Sequence, residues 1–181
     1  MASGGQQFPP QTLERQPGKE HAMEPVPRAT SEEYKPANKL QFLSLSLSLS
    51  LSLSHPKAAL VTGGDSGIGR AVSYCFALEG ATVAFTYVKS QEDKDANDTL
   101  QMLRQNKRSN AKDPIAIPAD LGYEENCRKV VEEVMNTYGC IDILVNNAAE
   151  QHVRPLITEI TEQQLERVFR TNIFSYFFVS K

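Results

Sequence analysis

The sequence has no tryptophan, few cysteines and no excess of basic residues. Its 181 residues include 19 lysines and arginines against 22 aspartates and glutamates, for a formal net charge of −3. Because this balance gives no extended positive surface, nucleic acid and anionic membranes are not expected as partners. Hydrophobic residues make up 40% of the chain, enough for one domain with a packed core. We therefore expect a protein whose partners are small molecules.

Cysteine and histidine are too scattered to indicate a metal centre. The three cysteines are Cys75, Cys127 and Cys140, and the three histidines are His21, His55 and His152. There is no Cys-x-x-C pair, and two of the cysteines fall on apolar faces of predicted helices. The pattern is typical of a reduced intracellular protein with buried structural thiols, and no metal site is predicted.

No apolar segment opens the chain, and residues 1–40 are rich in Pro, Gln, Glu and Lys but poor in aliphatic side chains. Such a segment cannot bury enough apolar surface to offset its conformational entropy, so we expect a disordered N-terminal arm. Glu14, Glu20 and Glu24 argue against an organellar transit peptide. The expected location is cytoplasmic.

A low-complexity tract at residues 41–56 follows the arm. Leu-Ser pairs repeat from Leu43 to Ser54, and this alternation favours a half-polar strand. The tract is too short and too polar to span a membrane, and an uncharged alternating strand is prone to aggregate. Alternating CTC and TCT codons encode this repeat, and pyrimidine tracts are common before splice acceptors. One hypothesis is therefore translated intron sequence, although a genuine isoform would read the same.

Beyond the tract, short β-rich runs alternate with amphipathic segments. The predicted strands are residues 58–62, 82–87, 115–118 and 141–145, and the predicted helices are 68–79, 93–107 and 123–138. The βαβαβαβ order predicts an α/β fold with a Rossmann-like, doubly wound parallel sheet. The sheet is expected to be incomplete, with its first four strands lying in residues 57–181.

The segment Thr62–Gly69, "TGGDSGIG", follows a predicted strand and opens a predicted helix. Here Gly63 permits a sharp turn, Gly67 lets backbone N–H groups approach a pyrophosphate, and Gly69 lets the helix pack closely on the strand. A P-loop is excluded because no Gly-Lys-Ser/Thr follows. The alternative is a glycine-rich turn with no ligand.

Polar residues also follow the third and fourth predicted strands, where ligands of open α/β sheets bind. Asp120 is placed to accept a hydrogen bond from an adenine amino group, and its alternative role is a cap or turn. Asn146 and Asn147 are suited to tying strand ends together and to reaching a ribose, unless they only form a turn.

The last segment places one asparagine among apolar residues. Thr161 and Gln164 have the spacing of a capping box. The helical face beyond them carries Leu165, Val168, Phe169, Asn172, Tyr176 and Val179. Because a buried amide without partners costs about 1–3 kcal/mol, Asn172 is expected to have a specific role, the alternative being a satisfied core residue.

The motifs "TGGDSGIG", "DL", "NNAA" and "TNIFSYFF", in this order, resemble the short-chain dehydrogenase/reductase family over residues 57–181. The arm and the stretch "FTYVKSQEDKDA" are similar to the plant homologues of glucose and ribitol dehydrogenase. The resemblance implies hydride transfer between nicotinamide and an alcohol, polyol or sugar, and homo-oligomers for a complete member. It assigns a catalytic role to Asn172. The cofactor-binding residues that it implies are Thr62, Gly63, Asp65, Ser66, Gly67, Ile68, Gly69, Lys89, Asp120, Leu121, Asn146, Asn147 and Ala148.

The family's serine and Tyr-x-x-x-Lys would lie beyond Lys181. Tyr176 does not substitute, because Ser180 and Lys181 stand four and five residues after it. We therefore expect the chain as given to be inactive, since general acid/base catalysis needs a positioned proton donor. The alternative function is a nucleotide-binding or partner-binding fragment. A methyl-donor-binding Rossmann protein is a weaker alternative, because it gives "NNAA" and Asn172 no role.

The choice between NAD and NADP rests on the residues after the second predicted strand. NAD-binding sites often place an acidic residue there, on the ribose 2′-hydroxyl. This sequence has Thr86, Tyr87, Val88 and Lys89, which favours NADP. Asp65 in the glycine loop points weakly toward NAD.

Overall fold

A computed structural model describes residues 19–31, 33–40 and 56–181 of the chain. Within them, four parallel strands form one sheet in the order β3-β2-β1-β4. The strands are β1 (Ala58–Val61), β2 (Thr82–Tyr87), β3 (Ile115–Pro118) and β4 (Ile143–Val145). The α/β, Rossmann-like prediction is confirmed, and the predicted strand positions hold to within two residues at each end.

Helices alternate with these strands along the chain. They are α1 (Gly67–Leu78), α2 (Asp93–Asn106), α3 (Glu124–Tyr138), α4 (Glu162–Phe169) and α5 (Ser175–Ser180), with a short 3₁₀ turn at Ile157–Glu159. Helix α3 ends at Gly139, whose φ of 89° is a left-handed C-cap. The capping box predicted for Thr161 and Gln164 is present at the start of α4.

Two hydrophobic cores lie on opposite faces of the sheet because successive strand residues point to opposite sides. In β2, Ala84 packs with α3 and α5, whereas Val83 and Phe85 pack with α1 and α2. Helix α3 packs against the sheet through an apolar stripe that is buried at Cys127, Val130, Val134 and Tyr138 and half-buried at Val131. Cys127 is thus a buried structural thiol, while Cys75 and Cys140 are half-buried, and all three are free.

The order of the strands in the sheet reverses at β1, and this reversal determines where a ligand can bind. β2 and β3 lie on one side of β1, whereas β4 lies on the other. The carboxyl ends of β1 and β4 therefore flank a crevice at the point where the strand order reverses. The helices that follow β1 and β2 frame the same crevice.

A π-helical turn, Arg170–Phe174, separates α4 from α5 and carries Asn172 near its middle. Such turns insert an extra residue and often occur at functional sites. Around it, apolar side chains are exposed: Phe174 is 42% and Phe177 66% exposed, whereas Val179 is buried at 7%. The last helix therefore exposes apolar surface.

Part of the N-terminal arm contacts the domain. We call residues 19–31 and 33–40 the strap. It includes a 3₁₀ turn, Glu20–Ala22, and at its end the Leu40 carbonyl accepts a hydrogen bond from the Lys57 amide. Disorder of the arm stays a prediction for residues 1–18, which lie outside the described residues. The strand predicted for the Leu-Ser tract falls outside them as well, as does His55.

No helix in the described ranges has the length and apolar character needed to cross a membrane. The same part of the chain holds no cluster of His, Cys, Asp and Glu suited to binding a metal ion.

Candidate nucleotide-binding site

The glycine loop connects β1 to α1 through a turn that requires glycine. Gly63 has a φ of 61°, in the left-handed region. A Cβ atom at Gly69 would lie 2.0 Å from the carbonyl oxygen of Gly63, so the loop and the helix can pack this closely only without a side chain. The roles predicted for these two glycines agree with the geometry.

Thr62 and Asn147 fasten the carboxyl end of β1 to that of β4. The Thr62 hydroxyl accepts hydrogen bonds from the amides of Asn147 and Ala148, at 2.9 and 3.0 Å. In return, the Asn147 side-chain amide donates to the carbonyls of Thr62 and Gly63, at 2.9 Å each. This reciprocal set fixes the floor of the crevice, and Asn147 ties the strand ends together as predicted.

A cleft opens at the carboxyl ends of the strands. Of the predicted site residues, those that line it are Gly63, Asp65, Ser66, Asp120, Leu121, Asn147 and Ala148. Thr62 lies beneath it, fully buried. The remaining predicted residues, Gly67, Ile68, Gly69, Lys89, Asn146 and Asn172, lie outside this lining.

Three of these outlying residues have clear surroundings. Ile68 is 77% exposed at the start of α1. Lys89 is exposed and lines a neighbouring shallow hollow with Asp120 and Lys129. Asn146 donates weakly to the Ser180 hydroxyl, at 3.5 Å.

One wall of the cleft contains two buried carboxylates that form no ion pair within the part of the chain that the structure describes. We call Asp65, Ser66, Val88 and Glu92 the buried-acid wall. Asp65 is 2% and Glu92 7% exposed. Burial raises the pKa of Asp65 to about 6. Burial, together with the nearby Asp65 charge, raises the pKa of Glu92 to about 7. Near neutral pH this wall therefore changes its charge.

The two carboxylates of the buried-acid wall differ in their hydrogen bonding. The Glu92 carboxylate accepts a 2.7 Å bond from the Val88 amide at the end of β2. The buried Oδ2 of Asp65 has no hydrogen-bond partner among the described residues. A buried carboxylate oxygen left in this state favours a donor from a bound molecule, because an unsatisfied polar atom is costly.

The opposite wall is held by ion pairs. We call Asp120, Glu150, Arg167 and Thr171 the ion-paired wall. The Arg167 guanidinium lies 3.0 Å from Asp120 and 2.7 Å from Glu150, and the Thr171 hydroxyl donates to Glu150. His152 lies 2.9 Å from the other Glu150 oxygen. Asp120, predicted as an adenine ligand, therefore already has a charged partner.

Asn172 is satisfied entirely by the backbone of one residue. Its Oδ1 accepts from the Glu150 amide at 2.8 Å, and its Nδ2 donates to the Glu150 carbonyl at 3.0 Å. The Tyr176 hydroxyl donates to the Ala148 carbonyl one turn later. The π-helical turn thus fixes the chain that follows β4, and the half-buried amide of Asn172 has a partner for both its oxygen and its nitrogen.

Sequence reasoning missed Glu92, Glu150 and Arg167. An acid was sought only at residues 86–89, directly after β2, whereas Glu92 folds back from the start of α2 onto Val88. Glu150 directly follows "NNAA", which was a usable signal. Arg167 comes from α4, distant in sequence from Asp120, and no local pattern indicates that pairing.

These features occur together with a match to a known family. A model of the short chain dehydrogenase family matches residues 57–181. The chain belongs to the short-chain dehydrogenase family. Its predicted resemblance to plant glucose and ribitol dehydrogenase homologues is likewise confirmed by the relatives below, and the family acts on small molecules through a nicotinamide cofactor.

Two plant relatives are similar over nearly the whole chain. The glucose and ribitol dehydrogenase homolog of Oryza sativa subsp. japonica is 67% identical over 183 residues, covering 100% of this chain and 56% of that protein. The NADPH-dependent aldehyde reductase 1, chloroplastic, of Arabidopsis thaliana is 61% identical, covering 92% of this chain and 53% of that protein. The chain thus spans about half the length of the curated relatives it matches.

Solved structures show the same fold. A short chain dehydrogenase from Burkholderia cenocepacia in complex with NADP has a TM-score of 0.61 and 33% identity, covering 70% of this chain and 49% of that one. A blue fluorescent protein from a metagenomic library in complex with NADPH has a TM-score of 0.61 and 33% identity, covering 69% and 49%.

Proposed function

We propose that the chain is the dinucleotide-binding part of an NADP-dependent oxidoreductase that interconverts an alcohol, polyol or sugar hydroxyl with a carbonyl group. The observation that carries this proposal is the cleft itself. It combines the glycine loop with the carboxyl ends of β1 and β4, the place where doubly wound folds bind dinucleotides. The names of the rice and Arabidopsis relatives support the substrate class.

The residues present fit such a cofactor. A Cβ atom at Gly67 would meet no described atom within 4 Å, so the start of α1, where a pyrophosphate is favoured, is open on that side. The Asp65 oxygen that has no hydrogen-bond partner among the described residues lies at the same cleft. It is suited to accept a hydrogen bond from a ribose hydroxyl. Asp120, Leu121, Asn147 and Ala148 would hold the remainder along the strand ends.

When bound, the nicotinamide supplies a hydride acceptor or donor. The chain's own residues orient it: Thr62 and Asn147 keep the strand ends together, and Asn172 holds the backbone of Glu150 beside the cleft. A role for Asn172 in a proton relay is the family's expectation, and here its backbone contacts are those of a positioning group. The proton donor that such chemistry needs is not supplied by any Tyr-x-x-x-Lys in this sequence.

The preference for NADP is proposed on the exposed Lys89 beside the cleft and on the NADP-bound and NADPH-bound structural neighbours. Asp65 and Glu92 oppose it, because carboxylates repel a 2′-phosphate. Their raised pKa values limit that repulsion at and below neutral pH. The ammonium of Lys89 is then the group that favours the phosphate.

The test is titration of the chain with NADPH and with NADH, followed by dinucleotide fluorescence. We expect tighter binding of NADPH, and a loss of about fivefold for NADPH alone in Lys89→Ala, since an exposed charge contributes about 1 kcal/mol. Lys94→Ala is the matched control, because Lys94 pairs with Asp98 on α2. Equal binding of the two dinucleotides would overturn the NADP preference, and absence of both would overturn the nucleotide site.

A second proposal concerns the chain as given: it binds nucleotide without turning over substrate, because the Tyr-x-x-x-Lys is missing from it. We expect no oxidation of ribitol or reduction of aldehydes above the blank, with NADPH binding intact. Turnover by the purified chain would contradict this.

Cytoplasmic location is also a proposal, resting on the acidic residues of the arm. The Arabidopsis relative is named chloroplastic, so a plastid is the competing location. A fluorescent fusion at the C-terminus, imaged in leaf cells, distinguishes the two.

A further inference from the structure

The strap follows α1 from one end to the other. At the C-terminal end, the Glu79 carboxylate accepts hydrogen bonds from the Tyr34 hydroxyl and from the amides of Ala37 and Lys39. The Leu40 amide donates to the Glu79 carbonyl. The strap is therefore attached to the helix at several points.

At the N-terminal end of α1, Glu20 contacts the glycine loop directly. Its side chain is buried, with Glu20 3% exposed. One carboxylate oxygen accepts a hydrogen bond from the Gly67 amide, and the other accepts from Arg70 at 2.6 Å. A buried carboxylate with a backbone amide and a guanidinium as partners is held in one orientation.

Arg70 extends this contact to the other side of the loop. Its Nε donates to the Asp65 carbonyl at 2.8 Å and to the Thr99 hydroxyl at 2.7 Å. Thr99 in turn donates to the same Asp65 carbonyl. Glu20 thus holds loop residues 65–67 at both ends, through the Gly67 amide directly and through the Asp65 carbonyl by way of Arg70.

His21 adds a neighbouring anchor on α2. Its amide donates to Asp95 at 3.1 Å, and its ring Nδ1 lies 2.9 Å from the other Asp95 oxygen. Asp95 is 1% exposed and also meets Arg70. The start of the strap is therefore fixed to α1 and α2 together.

We propose that Glu20 is a positioning residue for the dinucleotide site: the strap holds residues 65–67 in the conformation that binds the cofactor. This inference rests on the proposed function of the glycine loop. Glu20 lines a separate groove with Arg70 and Met102, whereas the cleft is lined by Asp65 and Ser66. It therefore supports the loop from the side away from the cleft rather than occupying the cofactor's place.

The test uses Glu20→Gln in the full chain, with Glu33→Gln as matched control, because Glu33 is an exposed strap residue. The Glu20 carboxylate accepts two hydrogen bonds, from the Gly67 amide and from Arg70. The side-chain NH₂ group of glutamine is a donor, so it cannot accept one of these two bonds. Losing one charge-assisted hydrogen bond corresponds to about tenfold in an equilibrium constant. We expect NADPH to bind about tenfold more weakly to Glu20→Gln and unchanged to Glu33→Gln.

A second readout is independent of the cofactor. Amide hydrogen exchange at Gly67 should accelerate about tenfold in nucleotide-free Glu20→Gln, with protection in β1 and β2 unchanged. Unchanged NADPH affinity would overturn the proposal. Tighter binding would overturn it as well, because Glu20 would then compete with the cofactor.

The two proposals fail in distinguishable ways. If the unmodified chain bound no NADPH, the proposed function would fail, and Gly67 exchange would still decide whether Glu20 orders the loop. Loss of protection throughout β1 and β2 in Glu20→Gln would show a general structural role and would overturn one confined to the loop.

Discussion

The two walls of the cleft both contain two carboxylates, but they satisfy them differently. In the buried-acid wall, Asp65 and Glu92 are 2% and 7% exposed, and neither forms an ion pair within the described ranges. In the ion-paired wall, Asp120 and Glu150 share Arg167. Burial therefore makes the first wall responsive to pH, whereas the acids of the second wall are held by a shared cation.

The largest effect should come from the backbone of the glycine loop, next to the buried-acid wall. Gly69→Ala places a Cβ 2.0 Å from a backbone oxygen, so the chain must move. We expect the free energy of unfolding to fall by about 3 kcal/mol or more, measured by urea denaturation.

The matched change in the ion-paired wall is Gly122→Ala. Its Cβ would lie 2.5 Å from the Nη1 of Arg167, the end of a side chain that can shift. We expect a cost of about 0.5 kcal/mol. Equal costs at Gly69 and Gly122 would show that the two walls are equally adaptable.

The second effect is a pH dependence of stability that comes from the buried-acid wall. The pKa of Asp65 rises from 3.8 to about 6 and that of Glu92 from 4.5 to about 7. At pH values between the ordinary and the raised pKa of each group, the folded chain therefore binds more protons than the unfolded chain. The free energy of unfolding falls as pH rises from about 4 to 7.

Glu92→Gln removes the buried charge and keeps an oxygen that can accept from Val88. We expect it to raise the free energy of unfolding by about 2 kcal/mol at pH 8 and to leave it unchanged near pH 4. Asp120→Asn, which weakens a pair with Arg167, should instead lower it by about 1 kcal/mol at pH 8. Denaturation at the two pH values measures both, and the same sign for the two variants would break the comparison.

The third effect concerns the shared cation of the ion-paired wall. Arg167→Met leaves Asp120 and Glu150 close together without it, at a cost of about 1 kcal/mol, since Arg167 is partly exposed. The cost should shrink in concentrated salt, which screens the repulsion. Thermal unfolding with and without added NaCl measures this, and a salt-independent cost would point to lost packing.

The sheet was predictable because each strand is a short apolar run bounded by polar or glycine residues. β4 begins at Ile143 rather than at residue 141, because the Asp142 carboxylate accepts from the Ala58 amide and from Lys57. Because this contact joins residues that are far apart in the sequence, no local sequence pattern indicates it.

The candidate site likewise contains some residues that were predictable from the sequence and some that were not. The glycine loop and Asn147 were predicted because their roles depend on local backbone geometry and strand order. Glu92, Arg167 and Glu20 were not, because each acts on a residue brought near only by tertiary packing. Composition likewise does not indicate the contacts that Glu20 makes with the glycine loop, because single polar contacts do not change an average.

The hydrogen bond between the Leu40 carbonyl and the Lys57 amide has a consequence for evolution and for engineering. Leu40 and Lys57, which flank residues 41–56, are joined directly by this bond, so the described domain is closed without those residues. Replacing residues 42–56 by one glycine would put two residues between Leu40 and Lys57, the spacing at which a β-turn makes this same bond. We therefore expect that a segment between Leu40 and Lys57 can be inserted, replaced by another peptide or deleted without changing the register of the sheet.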